Sequence, residues 1–153
     1  MILLKKAKEE DLEFLLKLKK ESMGDYIEQT WGWDPNWQRE NVFQHLDLKR
    51  TLIVIKSGKR IGWLSIFRTK KSITFENFAL LPEYHNLGIG TKVFKKVISI
   101  STEESKPLYL QVLKVNTQAQ DLFKRLGFII TGENNSHFFM RYNATNNNKN
   151  RIN

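Results

Sequence analysis

The chain has 153 residues, a length that fits one domain. It contains no cysteine, which excludes a disulfide framework, a thiolate zinc site and a cysteine nucleophile. Its formal net charge is +9. The charge favours anionic partners, but the lysines are scattered, without the run of about five to eight basic residues typical of a nucleic-acid arm, and we expect no nucleic-acid partner. No stretch approaches the roughly 20 apolar residues of a membrane span, so we expect no membrane association. The absence of cysteine fits a reducing compartment, and we expect a cytoplasmic protein.

The first part of the chain predicts one strand and two helices. Residues 2–6 form an extended segment, and the apolar spacing that follows predicts a helix over residues 9–23. An aromatic-rich connection comes next. Asp34 followed by Pro35 is typical of a helix start and predicts a second helix to about Leu46.

The remainder alternates strands and helices. Three strands in a meander should be followed by helix, strand, helix and a final strand pair. The predicted ranges are strands 51–56, 61–68 and 72–80, helix 90–101, strand 108–113, helix 118–126 closed by Gly127, and strands 128–130 and 137–142. The order β-α-α-β-β-β-α-β-α-β-β predicts an α/β fold with a mixed sheet and helices on both faces.

The C-terminal segment differs in composition from the rest. Residues 143–153 are rich in Asn and Lys and lack the apolar residues needed for a core. We therefore expect a folded domain over residues 1–142 and a disordered tail over residues 143–153.

The most informative segment joins a predicted strand to a predicted helix over residues 80–91. Gly88 and Gly90 allow a phosphate to approach the backbone, and the helix start directs unpaired N–H groups and positive potential at one point. A lone Gly-x-Gly is weak evidence, because a strand–helix turn without a ligand looks the same. The segment does not match the dinucleotide-binding fingerprint, because no third glycine follows at the required spacing. It does not match a P-loop either, because no Gly-Lys-Ser/Thr sequence occurs at the required spacing.

This turn resembles motif A of the GNAT superfamily of N-acetyltransferases. The family pattern is Gln/Arg-x-x-Gly-x-Gly/Ala after a strand ending in V-x-P-E-Y. Here the pattern reads Leu80-x-Pro82-Glu83-Tyr84 and then His85-Asn86-Leu87-Gly88-Ile89-Gly90. A second block, residues 116–128, is similar to the family's N-x-x-A-x-x-L-Y-x-x-x-G-F. The resemblance covers residues 1 to about 142 and implies the GNAT acyl-CoA N-acyltransferase fold. Residues 28–34 and 112–116 resemble an uncharacterised bacterial subgroup.

The resemblance implies acetyl-CoA as cosubstrate and no metal. The backbone of Phe78, Ala79 and Leu80 would pair with the pantetheine arm. The pyrophosphate would lie on the backbone amides of six consecutive residues, which are Asn86, Leu87, Gly88, Ile89, Gly90 and Thr91. Asn116 would reach the coenzyme with its side chain, although the same residue suits a helix cap.

Catalytic groups are less well defined than the coenzyme site. His85 replaces the family's Gln or Arg, and Phe123 replaces the tyrosine that protonates the departing thiolate in many members. Tyr142 is the candidate replacement acid, with Tyr26, Tyr84 and Tyr109 as further hydroxyls and water as another source. Glu76 shares a strand face with Phe78 and could deprotonate the acceptor through water; it could equally be an exposed strand glutamate. His137 could titrate near neutral pH, but a lone histidine on a terminal strand is more often structural.

The aromatic-rich connection is the candidate acceptor site. Glu28 could contact a cationic acceptor or cap a helix. Trp31 and Trp33 could contact the acceptor too, and Tyr26 and Trp37 complete an aromatic set that packing alone could also explain. The resemblance implies acetyl transfer from acetyl-CoA to a primary amine of a small molecule or peptide by direct attack in a ternary complex. The alternative, motivated by Phe123, is a catalytically weak or inactive acetyl-CoA-binding regulator. Either would be a monomer or homodimer.

Overall fold

The computed structural model describes residues 1–143, and its elements follow the predicted order. Seven strands carry the fold: β1 (Ile2–Lys6), β2 (Thr51–Lys56), β3 (Lys59–Arg68), β4 (Ile73–Leu80), β5 (Leu108–Leu113), β6 (Phe128–Glu133) and β7 (His137–Tyr142). The α-helices are α1 (Leu12–Thr30), α2 (Pro35–Glu40), α3 (Ile89–Glu103) and α4 (Thr117–Leu126).

The strands form one mixed sheet in the order β1-β2-β3-β4-β5-β7-β6. Only β4 and β5 are parallel among the ladders described, over the pairs Ile73–Leu108 to Phe75–Leu110. The other described ladders are antiparallel. The predicted α/β fold with a mixed sheet is therefore confirmed.

A first compact unit comprises Met1–Ile66 and Glu76–Gly90. Its antiparallel strands β1, β2 and β3 carry an apolar cluster against α1. The members of the cluster are buried and come from helix and sheet alike: Ala7, Leu12, Leu15, Leu18, Val42, Ile53, Trp63 and Ala79. This burial removes apolar area from water and stabilises the unit.

A second compact unit comprises Phe67–Phe75 and residues 91–143. A series of aromatic rings runs through it. Phe75 stacks on Phe94 with ring centroids 4.3 Å apart, Phe94 meets Phe123 edge-on at 4.9 Å, and Phe123 meets Phe128 at 5.8 Å. Such pairs add stability beyond the area that they bury.

Helix α1 is longer than predicted, which is the main correction to the element boundaries. A 3-10 turn occupies Glu9–Asp11, and the α-helix then continues through Gly24 to Thr30 instead of ending at Met23. Burial of Ile27, which is 6% exposed, offsets the roughly 1 kcal/mol cost of a helical glycine. The helix ends where Gly32 takes φ +83° and donates its N–H to the carbonyls of Ile27 and Glu28.

The second predicted helix is present but changes geometry midway. Asp34 caps α2 as predicted, because its side chain accepts from the N–H groups of Asn36 and Trp37. From Asn41 to His45 the chain forms a π-helical turn.

Strand β6 also runs beyond its predicted end, since pairing with β7 resumes after an irregularity between Ile130 and Gly132. The predicted disordered tail lies outside the described residues, apart from Asn143.

Candidate active site

The end of β4 is held in place by hydrogen bonds within the first unit. The carbonyl of Leu80 accepts from the hydroxyl of Ser22 and from Nε2 of His85, the latter at 2.7 Å. Because a carbonyl can only accept, Nε2 of His85 carries the proton. The N–H of Leu81 donates to the carbonyl of Ile61 at 2.8 Å. His85 therefore makes a local contact that connects the strand to the turn after it.

The turn after β4 has the backbone shape of an anion cradle. A 3-10 turn over Pro82–Tyr84 is followed by left-handed conformations at Asn86 (φ +61°) and Gly88 (φ +77°), and α3 starts at Ile89. Asn tolerates this conformation better than most residues, and Gly adopts it freely. A Cβ added to Gly88 would meet no atom within 4 Å, so space lies open in front of the backbone. The residues present therefore fit a pyrophosphate group.

The described pairing of β4 with β5 covers only the first part of the predicted pantetheine strand. Pairing of β4 with β5 covers Ile73 to Phe75, whereas β4 continues to Leu80. Phe78 is half-buried, and Ala79 and Leu80 are buried. A Cβ added to Gly62 of β3 would lie 2.5 Å from the carbonyl oxygen of Ala79. Glycine at this position therefore allows the close approach of β3 to the end of β4.

Glu76 is exposed on β4 and is not isolated. Its Oε1 lies 3.5 Å from Nη1 of Arg50, and Arg50 also pairs with Asp47 at 3.2 Å. The interaction is solvent-screened and contributes little to stability. The structure thus shows Glu76 as an ion-paired strand glutamate, and its carboxylate is accessible to a bridging water.

In the second unit, Asn116 caps helix α4. Its side-chain oxygen accepts from the N–H of Ala119 at 3.1 Å, which is the cap expected from the residue type. Gly127 closes the other end of α4 at φ +106°. The cap uses the oxygen of the amide, so the NH₂ group is the part of Asn116 suited to a ligand.

Phe123 and Tyr142 belong to the aromatic series of the second unit. Phe123 is 7% exposed and carries no group that donates a proton. Tyr142 is half-buried, and its ring lies 5.6 Å from that of Phe128. Phe123, at the position where the GNAT pattern that the sequence resembles has a tyrosine, is therefore part of the packed interior.

The predicted acceptor residues lie at the end of α1 and in the loop that follows. Glu28 lies on α1, not in a loop as the shorter predicted helix required, and its Oε2 accepts from the N–H of Trp33 at 2.6 Å. Trp31 is 62% exposed and Trp33 is half-buried. Trp37 is exposed, with Nζ of Lys19 6.0 Å from its ring centroid. The carboxylate of Glu28 therefore helps to hold the loop after α1 in its conformation.

His137 has a local partner within the second unit. Its Nδ1 lies 2.7 Å from the hydroxyl of Ser136, and partial burial lowers the pKa of its imidazole. Both observations agree with the structural role that is more common for a lone strand histidine.

Two buried features near the candidate site were not predicted in the sequence analysis. Gly62 interrupts an apolar strand, and a glycine inside a strand often marks close backbone approach, so this signal was readable. Gln38 is buried with an unpartnered side-chain oxygen, and nothing local in the sequence distinguishes it from an exposed glutamine.

Within residues 1–143, no group of three or more His, Asp or Glu side chains could hold a metal ion. In that same range, no helix has the length and apolar character required to cross a membrane.

Comparison with known proteins identifies similar sequences and folds. The model of the Acetyltransferase (GNAT) family matches residues 12–128. Thialysine N-epsilon-acetyltransferases from Bos taurus and Sus scrofa are 40% and 38% identical over 58 and 60 residues, which is 37% and 39% of this chain. These alignments span about a third of the relatives' length, at 34% and 35%. The PaiA N-acetyltransferase of Thermoplasma acidophilum, solved with coenzyme A, has a similar fold with a TM-score of 0.78 at 20% identity, covering 93% of this chain and 98% of that one.

Proposed function

This chain belongs to the Acetyltransferase (GNAT) family, and we propose that it transfers the acetyl group of acetyl-CoA to a primary amine by direct attack in a ternary complex. The observation that carries the proposal is the turn from Asn86 to Gly88, with its two left-handed residues and open space in front of Gly88. Such a turn before a helix N-terminus binds anions.

The chain's own groups would hold acetyl-CoA in two ways. The backbone amides of residues 86–91 would donate to the pyrophosphate, each charge-assisted bond contributing roughly 1.5–3 kcal/mol. The backbone of Phe78, Ala79 and Leu80 would pair with the pantetheine arm as an added strand does. Ser22 and His85 both donate to the carbonyl of Leu80, which holds the strand end in one position and leaves the pairing to the other backbone groups of residues 78–80. The side-chain NH₂ of Asn116 would donate to the coenzyme.

The acceptor must lose a proton before it attacks. Glu76 would accept that proton through a water, supported by its exposure on β4 two residues before Phe78. The acetyl thioester supplies the activated carbonyl. Since Phe123 has no hydroxyl, the departing thiolate would leave unassisted and take its proton from solvent, with Tyr142 as the alternative donor.

The acceptor belongs to the class of primary amines, as a small molecule or a peptide. Glu28, Trp31 and Trp33 would contact it. The similarity to thialysine N-epsilon-acetyltransferases supports a side-chain amine of the lysine type as the first compound to test. We place the protein in the bacterial cytoplasm, as a monomer or homodimer.

A second function is an acetyl-CoA-binding regulator with weak or absent catalysis. The packing of Phe123 among other phenyl rings favours it, because the family's usual proton donor is missing. Turnover of acetyl-CoA with thialysine, spermidine and lysine peptides separates the two functions: measurable acetylation identifies the enzyme, and coenzyme binding without turnover identifies the regulator.

The experiment that tests both is a thermal-shift titration with acetyl-CoA. A ligand that binds only the folded state stabilises it by roughly 2.7 kcal/mol at a hundred times its Kd, so the melting temperature should rise by several degrees. An unchanged melting temperature at millimolar acetyl-CoA contradicts the coenzyme site and, with it, both functions.

A further inference from the structure

A cavity of about 340 Å³ in the first unit shares no residue with the coenzyme and acceptor sites proposed above. Its volume lies at the small end of the range of ligand-binding pockets, roughly 300–1,000 Å³. The lining comes from the first three strands and from the turn that starts α1: Lys5, Lys6, Lys8, Glu10, Asp11, Ile53, Ile55 and Arg60. The space is therefore sufficient for a small molecule, and the lining indicates its chemistry.

Strand register builds the floor of the cavity and two of its sides. Lys5 of β1 lies opposite Ile53 of β2. Ile55 of β2 lies opposite Arg60 of β3. Residues directly opposite in an antiparallel pair lie on the same face of the sheet, and both isoleucines pack in the apolar cluster against α1. The cavity therefore has an aliphatic floor with a cation on either side.

Positive charge exceeds negative charge around this floor. Four lining side chains are basic and two are acidic, which leaves an excess of two positive charges. Within residues 1–143, the amines of Lys5, Lys6 and Lys8 enter no ion pair. A phosphate monoester carries a charge of about −1.5 to −2 at pH 7. Its charge therefore complements that of the lining better than a monoanion does.

Arg60 is held in position by the protein itself. Its Nη1 donates to Oδ1 of Asp11 at 2.8 Å, and its guanidinium carbon lies 5.1 Å from the ring centroid of Phe14. Asp11 is buried, and its Oδ2 accepts from the N–H of Lys8 at 2.8 Å. A guanidinium has further N–H donors, arranged in a fork that matches phosphate oxygens. A donor that is already ordered loses less conformational entropy when a ligand binds.

We propose that this cavity binds a small phosphate monoester. The guanidinium of Arg60 donates to the phosphate oxygens, and the amines of Lys5 and Lys8 add positive charge around them. The aliphatic floor contacts the organic part of the ligand. This site is separate from the coenzyme turn over residues 86–91, and its occupation does not depend on the proposed acetyl transfer.

Amide NMR titration with propyl phosphate tests the site directly. The backbone resonances of residues 5–11 and of Arg60 should shift, both without and with saturating coenzyme A. Inorganic phosphate should shift the same resonances with lower affinity, because it has no alkyl group to contact Ile53 and Ile55. Butyrate should bind more weakly than propyl phosphate, since it carries a single negative charge.

Two double variants of equal charge identify the residues responsible. Lys5→Gln with Lys8→Gln removes exposed amines that enter no ion pair, so it should weaken propyl phosphate binding about tenfold at an unchanged melting temperature. Lys56 and Lys59 lie opposite each other on β2 and β3 but outside the lining. Lys56→Gln with Lys59→Gln removes the same charge and should change the Kd by no more than about twofold.

Arg60→Lys tests the guanidinium itself, because it keeps the charge and loses the fork. It should weaken propyl phosphate binding severalfold. Three results each overturn the assignment: resonances of residues 5–11 that do not move at millimolar propyl phosphate, equal weakening in the two double variants, and butyrate binding as tight as that of propyl phosphate. Shifts confined to residues 86–91 overturn it as well, because they place the phosphate at the coenzyme turn.

Discussion

Phe123 determines what kind of proton transfer this site can use. Its ring contacts Phe94 and Phe128, and it has no hydroxyl to assist the departing thiolate. The thiol of coenzyme A has an ordinary thiol pKa of about 8.5, so its thiolate leaves acceptably at neutral pH. Deprotonating an acceptor amine with a pKa near that of lysine, about 10.4, is the harder requirement.

We therefore predict that the rate rises with pH through one ionisation, that of the amine or its base, without a falling limb below about pH 9.5. Phe123→Tyr should leave the rate unchanged or raise it. The measurement is kcat/KM against pH for the wild type, Phe123→Tyr and Tyr142→Phe. A bell-shaped profile whose falling limb disappears in Tyr142→Phe would contradict this prediction and identify Tyr142 as the acid.

In the proposed coenzyme site, Gly88 is the residue on which acetyl-CoA binding should depend most directly. Its φ of +77° disfavours any side chain, and the space in front of its Cα is open. Gly58, in the β2–β3 turn, has φ +76° and equally open surroundings, which makes it a matched control for backbone strain.

Gly88→Val and Gly58→Val should both lower the melting temperature, because a β-branched residue is strained at positive φ. Only Gly88→Val should abolish the thermal shift produced by acetyl-CoA, since its side chain fills the space that a phosphate would occupy. Retention of the shift in Gly88→Val, or its loss in both variants, would exclude the turn as the pyrophosphate site.

At the scale of an element, helix α4 shows how one residue can serve the fold and a ligand. Asn116 caps the helix with its side-chain oxygen, and the proposed coenzyme contact uses the NH₂ group of the same amide. The two roles depend on different atoms, so a substitution can remove one and keep the other.

Asn116→Ser should preserve the cap, because serine is as good an N-cap as asparagine, whereas Asn116→Ala should cost about 1 kcal/mol of stability. Both variants should weaken acetyl-CoA binding severalfold, since both lack the NH₂ group. Urea unfolding measures the first effect and isothermal titration with acetyl-CoA the second. Unweakened binding in Asn116→Ser would reduce Asn116 to a cap.

For the whole molecule, charge is the property that acts beyond any single contact. A net charge of +9 creates a positive potential that attracts a polyanion such as acetyl-CoA. Salt reduces the range of that attraction, because the Debye length falls from about 30 Å at 0.01 M to about 3 Å at 1 M ionic strength.

The Kd for acetyl-CoA should therefore increase severalfold between those salt concentrations. Fluorescence or calorimetric titrations measure it, with the melting temperature of the unliganded protein at each concentration as the control for stability. A Kd that does not depend on salt would mean that the excess lysines are solvated surface charge without influence on the ligand.

Several parts of the fold and the site could be predicted because their signals are local. The cap at Asp34, the glycine end of α4 at Gly127 and the turn at Gly88 each depend on dihedral preferences and hydrogen bonds within a few residues. Strand and helix periods extend the same local information over an element. The predicted end of α1 at Met23 was wrong, because burial of Ile27 offsets the unfavourable helix propensity of Gly24.

By itself, the sequence determined the order of the elements, the mixed α/β class and the position of the glycine turn between β4 and α3, since each follows from neighbouring residues. Only the tertiary structure decided that Phe123 joins an aromatic series and that Gly62 allows the close approach of β4. It also decided that Glu76 pairs with Arg50 and that the side-chain oxygen of Gln38 is buried without a partner. The physical reason is that burial and pairing depend on which distant residues meet, and local propensity carries no information about residues tens of positions away.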